Sequence, residues 1–349
     1  MPRIYCLDEA LLDSRSPPPI GRLAPSPTGA QHVGNARTYL IAWLSLRSRG
    51  GRVILRMEDI DSPRVKPWAA QQVIDDLRWL GLDWDEGPDL GGPHAPYVQT
   101  ERLATYDSAL LTLRSEWISP ERMWSRIYPC TCTRTDIADA ASAPHLGQEG
   151  PIYPGTCSPR TSADAESLTS EFAWRFRVSD RVQEIDDQCA GRVSRNLAKE
   201  LGDFVVGKKD GTPAYQLAVV VDDHAMGVTE VCRGADLLPS TFRQRELYEA
   251  FGWLAPQFMH VPLVVGPDGR RLAKRHGDTR ISVLREQGVS PERLLGLLAW
   301  SCGWQADRQP VSLPELLPRF DLTRIPRTPF VMTDVMWREL CDVGRDQLL

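Results

Sequence analysis

The sequence is poor in several features that would have assigned it to a specialised class of protein. Its 349 residues contain only 8 cysteines, too few for a disulfide scaffold. It has no recognisable secretory leader, no internal repeat and no apolar run long enough to cross a membrane. The net charge of −5 excludes a polycationic nucleic-acid coat protein but allows RNA contacts through local basic faces. We therefore expect a protein of the reducing cytoplasm with no membrane partner.

The most informative part of the chain is the stretch Gly21–Asn35, GRLAPSPTGAQHVGN, which joins two different apolar patterns. A short apolar run leads into a proline-rich loop, and apolar residues at helical spacing follow from Leu40 to Leu46. This pattern predicts a strand, a rigid loop and a helix whose N-terminus lies near His32. Unpaired backbone N–H groups there would suit a phosphate, and Gly34 would let a flat nucleotide ring come close. We therefore predict a nucleotide site.

Four further stretches carry polar residues in patterns that suit a ligand site. RMEDIDSPR, from Arg56 to Arg64, places carboxylates after a predicted strand, where they would face the crevice of an open parallel sheet. A solvated acidic turn is the alternative. AYQLAVVVDDH begins at Ala214, and VCRGAD begins at Val231. RRLAKRHG begins at Arg270 after a turn, and is either a phosphate-binding loop or an ordinary basic surface loop.

Together these stretches resemble the glutamyl branch of the class I aminoacyl-tRNA synthetases. The first resembles the family form R-[FL]-A-P-S-P-[TS]-G-x-x-H-x-G, and the acidic stretch resembles R-[IM]-E-D-x-D-x-x-R. The next two resemble A-Y-x-[LF]-A-x-V-x-D-D and V-[VI]-R-G-x-D, and the basic loop resembles K-L-S-K-R-x-G. The resemblance extends from about Ile20 to about Trp304 and implies an ATP-dependent ligase.

The resemblance also implies an α/β fold. Its centre would be a Rossmann-like parallel sheet, interrupted by a zinc-bearing insertion of the kind that grips the acceptor RNA. We expect residues 1–19 to form a loose extension, and the two halves of the catalytic domain to span 20–113 and 214–265. The insertion would occupy 114–213, and 266–349 would hold the basic loop and a short helical region, with no room for an anticodon-binding domain.

The resemblance further implies roles for individual residues. The glutamate site would contain Arg22, Leu23, Ala24, Pro25, Ser26, Glu58, Tyr215 and Arg233. Glu58 would bind the α-ammonium group of the amino acid. Arg22, Tyr215 and Arg233 would line the pocket for its side chain, since an arginine fork holds a carboxylate by two parallel bonds that a neutral amide cannot reciprocate.

The same resemblance implies the residues that would act on ATP. The catalytic residues would be His32, Asn35 and Lys274, and ATP would bind with Mg²⁺ at His32, Gly34 and Lys274. Two motifs depart from the family pattern: Asn35 stands in place of a second histidine, and Arg271 and Ala273 replace a lysine and a serine. Lys274, the residue expected at the ATP phosphates, is retained.

Three cysteines bracket a short segment that contains glycine and proline. Cys130, Cys132 and Cys157 suggest one structural zinc ion per chain, held by thiolates. General zinc chemistry favours His145 as the fourth ligand, whereas the resemblance implies Tyr153. Free cysteines without a metal are the alternative.

The strand predicted over Phe172–Val178 alternates apolar residues with Arg175 and Arg177. Its basic face would suit an insertion that holds RNA, although a solvated face would look the same.

Three functions remain open from the sequence. The first follows from a likeness to the truncated glutamyl-Q group of the family: activation of L-glutamate with ATP and transfer to the queuosine base in the anticodon arm of tRNA(Asp). The second is a compact synthetase that charges a tRNA 3′ end. The third is a non-catalytic RNA-binding paralogue. In each case the protein is expected to be a monomer.

Overall fold

A computed structural model describes residues 17–27, 29–60, 65–66, 68–119, 124–140, 152–270, 272 and 279–342. The strands in chain order are β1 Ile20–Leu23, β2 Arg52–Leu55, β3 Trp117–Ser119, β4 Trp124–Ser125, β5 Ile127–Cys130, β6 Ala173–Phe176, β7 Val182–Asp187, β8 Gly191–Asn196, β9 Phe204–Gly207, β10 Glu230–Gly234, β11 Gln257–Val261, β12 Val264–Val265 and β13 Phe330–Val331. The α-helices are α1 Val33–Arg47, α2 Ala69–Trp79, α3 Leu103–Ser115, α4 Arg134–Ala140, α5 Leu197–Glu200, α6 Tyr215–Ala225, α7 Leu238–Ala250, α8 Ile281–Glu286, α9 Pro291–Ser301, α10 Leu313–Leu316 and α11 Asp334–Cys341.

A parallel sheet with the order β2-β1-β10-β11 forms the centre of the molecule. Its strands are short apolar runs, and α1 and α7 provide the crossovers that parallel neighbours need. Successive side chains of a strand point to opposite faces. Accordingly, Val53 and Leu55 enter one hydrophobic core with α1 and α9, whereas Ile54 enters a second core with α3 and α6. The predicted parallel α/β sheet is therefore confirmed.

The insertion between the two halves of this sheet is built from small antiparallel units. Strands β5, β6 and β9 form one sheet, β7 and β8 form a hairpin with six residue pairs, and β3 pairs with β4. The β7–β8 hairpin docks on the central sheet, where the Gln188 N–H donates to the Phe258 carbonyl over 3.1 Å. The insertion therefore touches the edge strand β11 directly.

The strand predicted over Phe172–Val178 is present as β6, but the basic face predicted for it is wrong. Arg175 and Arg177 form no exposed basic face, because their exposed fractions are only 6% and 9%. Arg175 stacks on the Tyr153 ring at 3.8 Å and Arg177 on the Tyr128 ring at 4.7 Å, so both arginines hold the insertion together. The apolar run Met259–Val265 is divided between β11 and β12, which belong to different sheets because proline at position 262 separates them.

The C-terminal helices close the core on the α1 side of the sheet. Helix α9 begins with the Ser290 hydroxyl accepting from the Arg293 N–H and with Pro291 in its first turn. Arg37 of α1 is buried and donates to the Ser301 hydroxyl over 2.9 Å. Among the described residues, no helix combines the length and the apolar character that crossing a membrane requires.

Candidate functional site

A cavity of about 420 Å³ opens beyond the C-terminal ends of β1 and β10, beside the N-terminus of α1. This volume is typical of small-molecule sites, and the edge of the sheet is the usual place for them. Nine of the predicted site residues line it: Arg22, Ala24, Ser26, His32, Gly34, Asn35, Glu58, Tyr215 and Arg233. The cavity therefore brings together residues predicted for glutamate and residues predicted for ATP.

The remaining predicted residues are placed differently. Leu23 is completely buried in the hydrophobic core, and Pro25 is buried as well, so neither side chain lines the cavity. Side-chain contacts from these two residues to glutamate are not supported by this placement. Lys274, together with Arg271 and Ala273, lies outside the described residues.

The first turn of α1 is capped by the side chain of His32. Its Nδ1 accepts hydrogen bonds from the Gly34 N–H at 3.0 Å and the Asn35 N–H at 3.4 Å, while the Asn35 amide oxygen accepts from the His32 N–H. The Val33 N–H donates to the Thr279 carbonyl. The prediction of unpaired N–H groups at this helix end is therefore wrong. Because Nδ1 accepts, the neutral imidazole carries its proton on Nε2.

Gly34 is required by this cap. A Cβ atom at this position would lie 2.9 Å from Cε1 and 3.0 Å from Nδ1 of His32. Both distances are too short for ordinary packing, so any larger residue would displace the imidazole ring. The sequence predicted that Gly34 lets a nucleotide come close to the backbone. The structure shows that Gly34 also leaves room for the imidazole ring of His32.

The segment that follows the basic loop is anchored beside His32. Arg280 forms an antiparallel bridge with His32, and the Ile281 N–H donates to the Gln31 carbonyl. On the other side of the loop, Val264 lines the cavity. Lys274 precedes Thr279 by five residues, which span at most about 17 Å. Both flanks of the basic loop are thus fixed at the cavity.

Behind the cavity wall lies a buried group of alternating charges. Arg56 donates to Glu58 over 2.9 Å and pairs with Asp223 over 2.7 Å, and Arg22 pairs with the same Asp223 oxygen over 3.2 Å. Burial would raise the pKa of Asp223, but Arg56 and Arg22 outweigh it and lower that pKa. For Glu58 burial dominates, and the pKa is raised despite Arg56. A cation bound beside Glu58 would lower this pKa again and so offset the effect of burial.

Arg233 differs from Arg22 and Arg56 in its partners. Its Nε donates to His260 Nε2 over 3.0 Å and its Nη2 donates to the Thr241 hydroxyl over 2.6 Å, and both of these partners are neutral. Its Nη1 is buried and has no hydrogen-bond partner among the described residues. Burial lowers the pKa of Arg233, and the charges of Asp223 and Glu58 offset this effect only in part.

Tyr215 is the first residue of α6 and lines the same cavity. Burial, followed by the nearby charge of Glu58, raises the pKa of its hydroxyl to about 12. The hydroxyl therefore keeps its proton at neutral pH and can donate a hydrogen bond to an anion.

Sequence reasoning missed the residues that support these side chains. Asp223, Thr241 and His260 are all buried, and Asp223 lies 201 residues from Arg22 in sequence. The available signal was a polar residue inside an apolar run, as at His260 in QFMHV, because a buried polar group requires a partner. The position of that partner could not be predicted.

The three predicted cysteines form a compact cluster that could hold a metal ion. The sulfur atoms of Cys130, Cys132 and Cys157 lie within 4.8 Å of one another. The sulfurs of Cys132 and Cys157 are 3.7 Å apart, close to the spacing of about 3.8 Å that two thiolates adopt around tetrahedral zinc. Burial would raise the pKa of Cys157, but hydrogen bonds from the Thr131 backbone and the Tyr153 hydroxyl lower it to about 7.

Tyr153 lies in this cluster as well. Its hydroxyl oxygen is 3.4 Å from the sulfur of Cys130 and 3.9 Å from that of Cys132. It also accepts a hydrogen bond from the Cys157 N–H over 2.7 Å. The alternative ligand, His145, lies outside the described residues. The donor set of three sulfurs and one phenol oxygen fits a tetrahedral metal.

Comparison with known proteins gives consistent matches over most of the chain. The family profile for the catalytic domain of class I tRNA synthetases (E and Q) matches residues 20–329. A relative from Symbiobacterium thermophilum, named glutamyl-Q tRNA(Asp) synthetase, is 52% identical over 315 residues, which cover 88% of this chain and 94% of the relative. A relative of the same name from Rhodopirellula baltica is 49% identical over 333 residues, covering 90% and 96%.

A solved structure of a glutamate-tRNA synthetase also matches this chain, at lower sequence identity. The glutamate-tRNA synthetase from Elizabethkingia anophelis matches with a TM-score of 0.78 at 30% identity. The match covers 92% of this chain but 69% of that protein. The described fold is therefore similar to the fold of a solved glutamate-tRNA synthetase.

Proposed function

The chain belongs to the class I tRNA synthetases for glutamate and glutamine and is a ligase, and we propose that it joins L-glutamate to RNA through a glutamyl-adenylate made from ATP. The observation that carries this proposal is Arg233, a buried cation in the cavity with an unpartnered Nη1. A buried charge that nearby carboxylates compensate only in part is costly. The side-chain carboxylate of glutamate would supply both the missing bond and the missing charge.

The other polar residues of the cavity suit the remaining groups of glutamate. The Tyr215 hydroxyl and Arg22 are donors that would help Arg233 to hold the side-chain carboxylate. Glu58 would bind the α-ammonium group, and that cation would favour the ionised form that burial opposes. Ala24 and Ser26 would complete the wall, while the carbonyls of Leu23 and Pro25 hold the following strand end in place by accepting the N–H groups of Arg56 and Glu58.

Adenylate formation needs positioning and charge stabilisation more than a base. The α-carboxylate of glutamate attacks the α-phosphorus of ATP, the bond to the β-phosphate breaks, and pyrophosphate leaves with the electron pair. The Nε2–H of His32 and the side chain of Asn35 would donate to phosphate oxygens, and Gly34 keeps the His32 ring in place. Lys274 would balance the charge that develops on the leaving group. ATP is expected to bring Mg²⁺, which shields its phosphate oxygens.

For the acceptor we propose the queuosine base in the anticodon arm of tRNA(Asp). Support comes from relatives with that name, which are 52% and 49% identical and are covered over 94% and 96% of their length. The match to the glutamate-tRNA synthetase covers 69% of that longer protein.

We further propose that the cysteine cluster binds one structural zinc ion through Cys130, Cys132, Tyr153 and Cys157. The ion would cross-link β5 to the segment around Cys157. These two parts of the chain form a hydrophobic group that is too small to be stable alone. No step of the reaction is assigned to it.

Two assays test the proposed reaction. In the first, exchange of labelled pyrophosphate into ATP is measured with L-glutamate or L-glutamine. We expect exchange with glutamate only, and a loss of about a hundredfold in the K274A variant, because a charge that stabilises the transition state is removed. The exposed Lys199 provides the control variant K199A. Absence of glutamate-dependent exchange in the wild type would indicate the non-catalytic paralogue.

In the second assay, labelled glutamate is attached to tRNA(Asp) and the product is cut with nucleases. We expect the label on the anticodon fragment when queuosine is present, and no label on a matched unmodified transcript. Label on the terminal adenosine of both RNAs would instead identify a synthetase that charges the tRNA 3′ end.

A further inference from the structure

Arg233 is held from behind by a chain of buried groups that the proposed reaction does not use. His260 Nε2 lies 3.0 Å from Arg233 Nε and 2.9 Å from the Thr241 hydroxyl. On the opposite edge of the ring, His260 Nδ1 lies 2.6 Å from a carboxylate oxygen of Asp187. His260 and Asp187 are 1% and 4% exposed. The chain therefore runs from a carboxylate through an imidazole to the guanidinium that faces the cavity.

The bonding pattern fixes the protonation of the imidazole. The Arg233 Nε–H can only donate, so His260 Nε2 must accept. The proton of the neutral ring then lies on Nδ1, where Asp187 accepts it. Burial lowers the pKa of His260 and thus favours the neutral ring, although Asp187 opposes this effect. Asp187 thereby selects the tautomer that can hold Arg233.

The carboxylate in this chain comes from the insertion. Asp187 is the last residue of β7, and its Oδ1 accepts from the N–H groups of Cys189, Ala190 and His260. Its position is therefore set by the turn of the β7–β8 hairpin and by β11 together. The imidazole ring of His260 separates the negative charge of Asp187 from Arg233. The carboxylate therefore makes no hydrogen bond to Nη1 of Arg233.

We propose that Asp187 and His260 are positioning residues that determine the specificity of the cavity for a side-chain carboxylate. They orient the guanidinium through neutral acceptors and leave its Nη1 and its charge for the ligand. A carboxylate in direct contact with Arg233 would orient it equally well but would neutralise it, and the neutral amide of glutamine would then bind as well as glutamate. This inference rests on the proposed activation of glutamate.

The variant D187N tests the tautomer argument. The Asn amide oxygen can still accept the backbone N–H groups, but its NH₂ group would face His260 Nδ1. The His260 ring would then carry its proton on Nε2. This N–H would face the Nε–H of Arg233, so two donors would meet and their hydrogen bond would be lost. We expect the KM for glutamate in pyrophosphate exchange to rise about tenfold or more, as for a lost hydrogen bond to a charged group, with the KM for ATP unchanged. The preference for glutamate over glutamine should fall in parallel.

A second variant separates positioning from a structural role. In H260Q the amide oxygen of glutamine can accept from Arg233 without any choice of tautomer. D187N should therefore cost much less in the H260Q background than in the wild type, which a double-mutant cycle measures. The neighbouring D186N is the matched control, because Asp186 is exposed and pairs with Arg192 at the surface. It should leave both KM values unchanged.

The outcomes distinguish this inference from the proposed function. If the wild type exchanges pyrophosphate with glutamate but D187N raises both KM values equally, or costs as much with H260Q as without it, then Asp187 serves only the fold and the inference is wrong. If the wild type shows no exchange with glutamate, the proposed function and the inference both fail. A selective rise in the KM for glutamate that H260Q suppresses would support both.

Discussion

At the scale of single residues, the cavity is organised by differences among its arginines. Arg22 and Arg56 share Asp223, so their charges are compensated within the protein. Arg233 is equally buried but has only neutral partners among the described residues. Since a buried cation that is only partly compensated raises the free energy of the native state, its presence is best explained by a ligand that supplies an anion.

The variant R233K tests this explanation. Lysine keeps the positive charge but loses the planar fork, so it cannot bond to His260, to Thr241 and to a ligand carboxylate at once. We expect the KM for glutamate to rise about tenfold to hundredfold with little change in the KM for ATP. Titration calorimetry with glutamate should show the same loss of affinity. The control is R192K, at the exposed Arg192 of β8, and equal effects of both substitutions would contradict the assignment.

The residues that face the cavity were predictable, whereas those behind them were not. Arg22, Glu58 and Arg233 lie in sequence motifs, and a motif describes only residues that are close together along the chain. Asp187 and His260 are 73 residues apart and meet only because a hairpin of the insertion docks on β11. No local pattern encodes such a contact. His32 was predicted as a phosphate ligand, but its role as a helix cap depends on the backbone path.

At the scale of elements, the periodic segments were predicted well and the interrupted ones poorly. Helix α1 and strands β1 and β2 follow from apolar spacing and from the glycines after the helix. In contrast, the alternation around Arg175 predicted an exposed basic face, because alternation shows only that two faces differ. Burial of these arginines depends on the rings of Tyr128 and Tyr153, which another part of the chain supplies.

The contact between α2 and α8 contains an unusual carboxylate. Asp76 is completely buried, neither of its oxygens has a hydrogen-bond partner among the described residues, and Arg285 of α8 lies 3.5 Å away. Burial, only partly opposed by Arg285, raises the pKa of Asp76 from 3.8 to about 6. The native state therefore holds this proton more tightly than the unfolded chain, and stability falls as the pH rises from about 4 to about 6.

The variant D76N should remove this pH dependence. At pH 8 the wild type carries the full cost of a buried carboxylate, so we expect D76N to be more stable by about 1 to 2 kcal/mol, allowing for solvent screening and the lost pair with Arg285. Near pH 4 the difference should disappear. Urea unfolding at both pH values measures it. D107N removes an exposed carboxylate on α3 and should show no such trend. A D76N protein that is less stable at pH 8 would contradict the argument.

At the scale of the whole molecule, the cysteine cluster and the cavity belong to different packing units. Cys130, Tyr153 and Cys157 form a small hydrophobic group with Tyr128, separate from the two cores that enclose the central sheet. The cavity is lined from the central sheet, α1, α6 and the loops beside them. Activation of glutamate should therefore depend little on the metal, whereas the shape of the insertion should depend on it strongly.

The variant C157S separates these two dependencies. We expect about one zinc ion per chain in the wild type and none in C157S. The two thiolates and one phenol oxygen that remain in C157S would hold the ion only weakly. Glutamate-dependent exchange should stay within about twofold of the wild type, since distant sites act independently. Attachment of glutamate to RNA should fall about tenfold or more if the insertion orients the acceptor. C341S, which removes a cysteine outside the cluster, should change none of these quantities. Equal losses of exchange and attachment would mean instead that the metal supports the whole fold, and that the insertion has no separate role in handling RNA.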